Sequence, residues 1–313
     1  MSDVEIVLPL KKRVERIFTR TALRIVVTIT RLLSMSSARR LGECMGMVLY
    51  LTQKRYRRVA MKNLNLVYGS EIDEAERKKM TKDVFVHFGR MALEFLKLPA
   101  LSLDELDRMV KVQGESHLKA ALEAGNGGLI ITGHFGNWEV IARWLALHGY
   151  KMSVIARRAN DPVADKLLQG TRQDGGTQVY LRGNSVKAVL QCLKRGELVG
   201  ILPDQNAGDI TAPFFGMPTG TTNGPAVIHL RTGAPIIFTW CSVGDDGQFY
   251  LQFEEPVVVP SSGNKEADEV SVMTLVNAHL EAQIRSQPTQ WLWLHDRWRA
   301  SPHVFEMVDS KKV

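Results

Sequence analysis

His134 and Glu139 stand five positions apart in the stretch Gly133-His134-Phe135-Gly136-Asn137-Trp138-Glu139. An imidazole can act as a base near neutral pH, and a carboxylate on its far nitrogen fixes the tautomer and strengthens that base. Within one helix a spacing of five would turn the two side chains about 140° apart. They meet only if His134 lies in a loop and Glu139 in the first turn of the helix that follows. The flanking residues supply that arrangement. Gly128-Leu129-Ile130-Ile131-Thr132 reads as a buried strand, and Val140-Ile141-Ala142-Arg143-Trp144-Leu145 reads as a helix. Alone, the pair is a weak motif, because the helix dipole favours Glu in a first turn and loop histidines are commonly solvated. Its neighbours have to decide.

The elements that must position the pair form a regular series. From residue 126 onward, short apolar runs alternate with amphipathic ones, giving expected strands near 127–132, 152–156, 178–181, 198–202 and 235–242. Helices are expected near 137–147, 161–173, 185–195 and 224–232, and again over 266–286. That alternation implies βαβ units: an α/β fold with a mainly parallel sheet flanked by helices. Phe249-Tyr250-Leu251-Gln252-Phe253 alternates and is expected at a sheet edge, while residues 36–112 read as helical. The expected organisation is a basic amphipathic membrane-associating segment over 1–50, an α/β domain over 51–305 and a tail over 306–313.

Ligands of open α/β sheets gather outside the carboxyl ends of the strands. Arg157 and Arg158 follow the second expected strand, and Pro203-Asp204-Gln205-Asn206 follows the fourth. A base, two cations and a carboxamide-rich turn are thus expected on one rim. The segment 212–225 reads as a loop whose aromatics would floor an apolar groove, with Asn223 capping the next helix.

Composition narrows the class. With 313 residues, 45% hydrophobic, the chain can bury a substantial core. Cys44, Cys192 and Cys241 form no CxxC, zinc spacing or disulfide framework, which points to a reducing compartment. No HExxH, Walker A loop or GxSxG elbow occurs. The net charge of +7 is concentrated in residues 1–60, where thirteen lysines and arginines face four carboxylates, so the remainder is net −2. Arg13, Arg16, Arg20, Arg24 and Arg31 share one face of a helical pattern, with Val14, Ile17, Phe18, Ile25, Ile29, Leu32 and Leu33 largely opposite. Arginine interrupts the run too often for a good membrane span, and no cleavable signal pattern is present. A basic helix lying in the interface of an anionic membrane fits this pattern, with Leu23–Met35 as the segment for any shallow insertion. A basic peripheral module binding lipid or nucleic acid is the non-enzymatic alternative.

Several motifs occur together and in order: GHFGNWE, Leu202-Pro203-Asp204-Gln205-Asn206, Pro213-Phe214-Phe215-Gly216, Thr221-Thr222-Asn223-Gly224 and Trp291-Leu292-Trp293-Leu294-His295-Asp296-Arg297-Trp298. Over roughly residues 50–300 the chain resembles the lipid A biosynthesis lauroyl/myristoyl acyltransferase family, a branch of the lysophospholipid acyltransferase superfamily marked by His-x4-Asp/Glu. The resemblance implies a glycerol-3-phosphate acyltransferase-like α/β fold. It also implies O-acyl transfer from an acyl thioester, on acyl carrier protein, to a hydroxyl of a lipid A precursor, the alternative being an acyl-CoA-dependent acyltransferase for another glycolipid or a lysophospholipid. By the resemblance His134 is the general base and Glu139 its orienter, with no metal and no cofactor beyond the acyl co-substrate. Arg157, Arg158 and Arg172 would bind phosphates, Asp204 would order the site by pairing with one of these arginines, and Gln205 and Asn223 would join the substrate-binding set. Backbone N–H groups after Gly136 would face the developing oxyanion. The setting implied is the cytoplasmic face of a bacterial inner membrane, peripheral or shallowly anchored, without nucleic acid. Members commonly carry a clearer N-terminal transmembrane anchor than this chain shows.

Overall fold

The computed structural model describes residues 21, 24–69, 71–158, 161–181, 186–299 and 301. Arg13, Arg16, Arg20, Leu23 and the tail 306–313 lie outside the described residues. The first half of the described chain is mostly helical: α1 (residues 24–32), α2 (Met35–Thr52), α3 (Lys54–Tyr68), α4 (Glu74–Lys97) and α5 (Leu103–Asp107). The α/β series follows as β1 (Val110–Gln113), α6 (Glu115–Glu123), β2 (Gly128–Ile131), α7 (Trp138–Leu147), β3 (Met152–Ala156), α8 (Pro162–Asp174) and β4 (Gln178–Leu181). It continues as α9 (Val186–Lys194), β5 (Leu198–Ile201), β6 (Ile210–Phe214), β7 (Met217–Thr221), α10 (Gly224–Thr232), β8 (Ile236–Val243), β9 (Phe249–Phe253) and α11 (Lys265–Ser286).

Seven strands form one sheet in the order β1-β9-β8-β2-β5-β3-β4, every neighbouring pair parallel except β8 with β9. β2 and β5 are buried along their whole length, as central strands covered on both faces must be. Side-chain alternation divides the core into two layers. Leu129, Ile131, Val199 and Phe238 face one side, with the buried residues of α9 and α11 and with Trp291, Trp293 and Trp298. Ile130, Leu198, Ile237 and Cys241 face the other, against Val140, Ile141, Trp144 and Leu145 of α7.

Three expectations are corrected. β9 is not an edge strand: β1 covers it, pairing Val110 with Phe249 through Gln113 with Gln252. β1 itself falls at the end of the stretch read as helical, because Lys111 and Gln113 interrupt it and leave no apolar run to mark a strand. Residues 212–225 are not one loop. β6 and β7 form an antiparallel hairpin turning at Phe215 and Gly216, both with positive φ, the geometry of the tight hairpin turns. Phe214 is fully buried there and stacks on Trp298, so it belongs to the core and not to an open groove.

Candidate active site

β2 and β5 lie side by side with Ile131 opposite Ile201. Adjacent strands are about 4.8 Å apart, so residues at equal offsets beyond such a pair can touch. His134 and Asp204 are each three residues past it. His134 Nδ1 lies 2.8 Å from Asp204 Oδ1, and the His134 backbone N–H donates to Asp204 Oδ2 at 2.8 Å. Trp291 Nε1 donates to the same Oδ2 at 2.9 Å. Asp204 is only 2% exposed. Burial alone would raise its carboxyl, but the imidazole of His134, the two His134 hydrogen bonds and Trp291 outweigh that and hold it down at about 2. An ionised carboxylate facing Nδ1 makes Nδ1 the protonated nitrogen and leaves the lone pair on Nε2. Gln205 Nε2 sits 3.3 Å from that lone pair.

Glu139 is elsewhere. It occupies the first turn of α7 as expected, but its carboxylate takes Arg172 Nη2 at 2.6 Å and Arg172 Nε at 3.1 and 3.2 Å. Trp138 Nε1 donates to it at 3.0 Å. The pairing expected between His134 and Glu139 is therefore replaced by two separate pairs, His134 with Asp204 and Glu139 with Arg172. The reason is geometric: the first turn of α7 directs Glu139 toward the last turn of α8, while β5 delivers Asp204 beside the loop. Arg172 is raised above its ordinary value despite burial, by the charge and hydrogen bonds of Glu139. Trp138 bridges the two pairs, its ring packed edge-on against the imidazole at 5.0 Å between centroids.

The loop that carries His134 is pinned on several sides. Leu292 N–H donates to His134 O at 3.0 Å, Gly136 N–H to Gln290 O at 2.9 Å and Asn137 N–H to Cys241 O at 2.8 Å. Gly136 has φ +58°, and a Cβ there would stand 2.0 Å from Cys241 O, so only glycine fits. From α4, His87 lies with Nε2 3.0 Å from Gly136 O. Burial pushes His87 down to about 4, which keeps it neutral and lets Nε2–H donate. Glu94, held by Arg39 and Arg90, accepts Asn137 Nδ2 at 2.7 Å.

A model of one protein family, the bacterial lipid A biosynthesis acyltransferases, matches residues 10–300. The chain belongs to that family. It is accordingly an acyltransferase, and the His134–Asp204 pair lies within the matched region. It is similar to the lipid A biosynthesis palmitoleoyltransferase of Escherichia coli K12, with 26% identity over 84% of this chain and 85% of the relative. The lauroyltransferase of the same organism is 25% identical over the same shares. A phosphatidylinositol mannoside acyltransferase of Mycobacterium tuberculosis is 27% identical over 68% of each chain.

Other expected site residues fall into two groups. Asp204 and Gln205 converge on His134, although Asp204 pairs with the imidazole and not with an arginine. Arg157 and Arg158 are exposed beyond β3, two strands from β2, and no hydrogen bond or ion pair among the described residues joins them to His134. Arg172 pairs with Glu139 at 2.6 Å. Asn223 stands at the N-cap of α10 but leaves the helix uncapped, giving its amide to Glu269 at 2.8 Å. The N–H groups of Gly136 and Asn137 are used within the fold, so neither is free for an oxyanion.

Trp291, His295 and Arg297 of the acyltransferase are positioning residues that the motif reading did not assign. His295 Nε2 accepts Asn206 N–H at 3.0 Å, and burial lowers its pKa so that it stays neutral. Arg297, fully buried and pushed down to about 10 by desolvation, holds Gly220 O and Thr221 Oγ1 of the hairpin. Asn63 of α3 ties this segment down through Trp293 O and His295 O. The sequence signal was the density of indole, imidazole and guanidinium between 291 and 298.

Proposed function

We propose that this acyltransferase moves a fatty acyl chain from an acyl thioester, with acyl carrier protein as the carrier, to a hydroxyl of a lipid A precursor. His134 acts as the general base and Asp204 as the group that orients it. The observation that carries this reading is the clamp of Asp204 on both the backbone N–H and Nδ1 of His134, which leaves Nε2 as the free basic nitrogen.

In this mechanism the acceptor hydroxyl replaces the Gln205 amide at Nε2. Its oxygen attacks the thioester carbonyl carbon while the proton passes to Nε2. Asp204 stabilises the imidazolium so formed. The tetrahedral intermediate collapses with cleavage of the C–S bond, and the imidazolium returns the proton to the leaving thiolate. The products are an ester and a free thiol, and no acyl-enzyme is formed. Positioned base catalysis of this kind contributes about 10²–10⁴-fold. Glu139 contributes by holding Trp138 against the imidazole and by tying α7 to α8.

Family membership supports a saccharolipid acceptor. The phosphatidylinositol mannoside relative supports a second reading, in which another phosphorylated glycolipid receives the chain. A carrier of coenzyme A type is the alternative donor. The setting proposed is the cytoplasmic face of a bacterial inner membrane, with peripheral attachment. No described helix is long and apolar enough to cross a membrane.

The test is acyl transfer from labelled acyl carrier protein and from labelled acyl-CoA to a panel of lipid A precursors and phosphoinositol glycolipids. His134→Ala should lower kcat about 10³-fold or more with every competent pair. Wild-type-like turnover in that variant, with the label on the acceptor, would refute the base assignment.

A further inference from the structure

Lys54, Arg57, Arg58 and Lys78 converge on a cavity of about 580 Å³ at the corner where α2 gives way to α3, walled by Tyr50 and Met61. Among the described residues no carboxylate lines it. Two of the four cations have employment inside the protein. Arg57 Nη1 donates to Tyr50 O at 2.6 Å and Leu51 O at 3.2 Å, closing the end of α2, and Lys78 pairs with Glu74 at 2.6 Å. Lys54 and Arg58 are one helical turn apart and exposed, with no hydrogen bond or ion pair among the described residues. Like charges are held together there, which disfavours the empty site and favours an anion.

The surface beside the cavity is apolar. Ala38, Gly42 and Gly46 recur every four residues along α2 and pack on α4. A Cβ on Gly42 or Gly46 would stand 2.5 or 2.2 Å from a carbonyl oxygen of α4, so the two backbones are in contact and the rotation of α2 is fixed. That rotation turns Leu41, Met45 and Val48 outward at 42, 40 and 58% exposure, with Leu51 at 61%. α1 repeats the pattern: Arg31 anchors it to Leu96 O and Asp174, while Ile25, Ile29 and Leu32 face out. Apolar stripes ending at a cavity where Lys54 and Arg58 have no acidic partner among the described residues match a bilayer interface, with side chains entering the acyl boundary and cations meeting phosphates.

We propose that the α2–α3 corner is a binding site for the headgroup of an anionic bilayer lipid. Lys54 and Arg58 hold the phosphate, and Leu41, Met45, Val48 and Leu51 enter the membrane beside it. The site lies outside the acyl-transfer centre and rests on the peripheral-membrane reading above, not on the identity of the acceptor. Thr81 at the cavity and His87 at the catalytic loop are about 9 Å apart along α4, so a lipid held here brings the bilayer up to that loop.

Co-sedimentation of the full chain with phosphatidylcholine vesicles, with and without phosphatidylglycerol, tests this. The wild type should prefer the anionic vesicles, less so as salt rises. Lys54→Ala/Arg58→Ala should lower that partition about 30-fold and flatten its salt dependence, at about fivefold per charge. Met45→Asp/Val48→Asp should weaken binding to both vesicle types. Melting temperatures of both variants like that of the wild type would exclude misfolding. His134→Ala should bind vesicles normally, which separates this proposal from the catalytic one. Undiminished binding by Lys54→Ala/Arg58→Ala overturns the proposal. So does displacement from vesicles by inorganic phosphate beyond a chloride control, which would make the cavity a site for a free anion. Intact vesicle binding with a raised KM for acyl carrier protein would reassign it to protein docking.

Discussion

Two acid–base pairs, each with a buried carboxylate, flank the same loop, and they are built for opposite ends. Asp204 faces an imidazole, which can gain and lose a proton, and among the described residues Nε2 of that imidazole is met only by the long 3.3 Å contact with Gln205. Glu139 faces a guanidinium, which stays charged at any working pH, and it also accepts from Trp138 Nε1. A pair that can change charge suits proton transfer, while a fixed pair suits a frame. The distinction is not visible from burial, since the two carboxylates are 2% and 7% exposed.

The sharpest way to break this comparison is to remove each carboxylate without changing its shape. Asp204→Asn should lower kcat about 10²–10³-fold with a smaller change in KM, because the amide no longer enforces a protonated Nδ1. The variant also carries a pH signature. The Asp204 carboxyl lies below its ordinary value of 3.8, at about 2 when folded. Its contribution to stability is therefore complete above about pH 5 and is lost as pH falls toward 2, roughly 2 kcal/mol in all. Urea melts should show the gap between wild type and Asp204→Asn closing across that interval. A constant gap would mean that Asp204 is not held ionised by its neighbours.

Glu139→Gln should behave the other way, losing more stability than chemistry. It leaves the Arg172 guanidinium, whose side chain is 21% exposed, without a charged partner, at about 3 kcal/mol. Adding Arg172→Met should restore much of that stability, because the isolated charge is gone. If Glu139→Gln instead matched Asp204→Asn in kcat while melting like the wild type, the carboxylate in the His-x4-Glu motif would act in the chemistry itself.

The sequence carried the strands and their order of chemistry well, and the partner of the base less well. Gly128–Ile131 and Leu198–Ile201 are visible as apolar runs, and once they are neighbours in register the meeting of His134 with Asp204 follows from counting three residues past each. Strand order is what the sequence withholds. β5 lies beside β2 although α7, β3, α8, β4 and α9 intervene along the chain. Without that adjacency the nearest acid in sequence, Glu139, is the natural choice. The arginines were misplaced for the same reason: a position beyond a strand end says nothing about distance across the sheet, and Arg157 follows a strand two removed from β2. β1 and the β6–β7 hairpin were missed because neither is an apolar run: Lys111 and Gln113 interrupt β1, and Pro, Thr and Gly fill the hairpin strands.

Trp291→Phe probes the His134–Asp204 pair from behind. It keeps the ring in its buried place and removes only the N–H that meets Asp204 Oδ2. A hydrogen bond to a charged group contributes about 1.5–3 kcal/mol, shared here between fold and chemistry, so kcat should fall about 5–10-fold. The acid limb of the pH–rate profile should move with it, which a loss of packing alone would not produce.

Arg157→Ala should have the smallest effect and settles what the exposed rim contributes. The side chain is solvated beyond β3 and lies outside both pairs, so kcat should stay within about twofold and stability within about 0.5 kcal/mol of the wild type. Any role in meeting a phosphorylated substrate would appear as a raised KM that grows with the number of phosphates on the acceptor and shrinks at high salt. A change in kcat independent of salt would place Arg157 closer to His134 during turnover than its position beyond β3 allows.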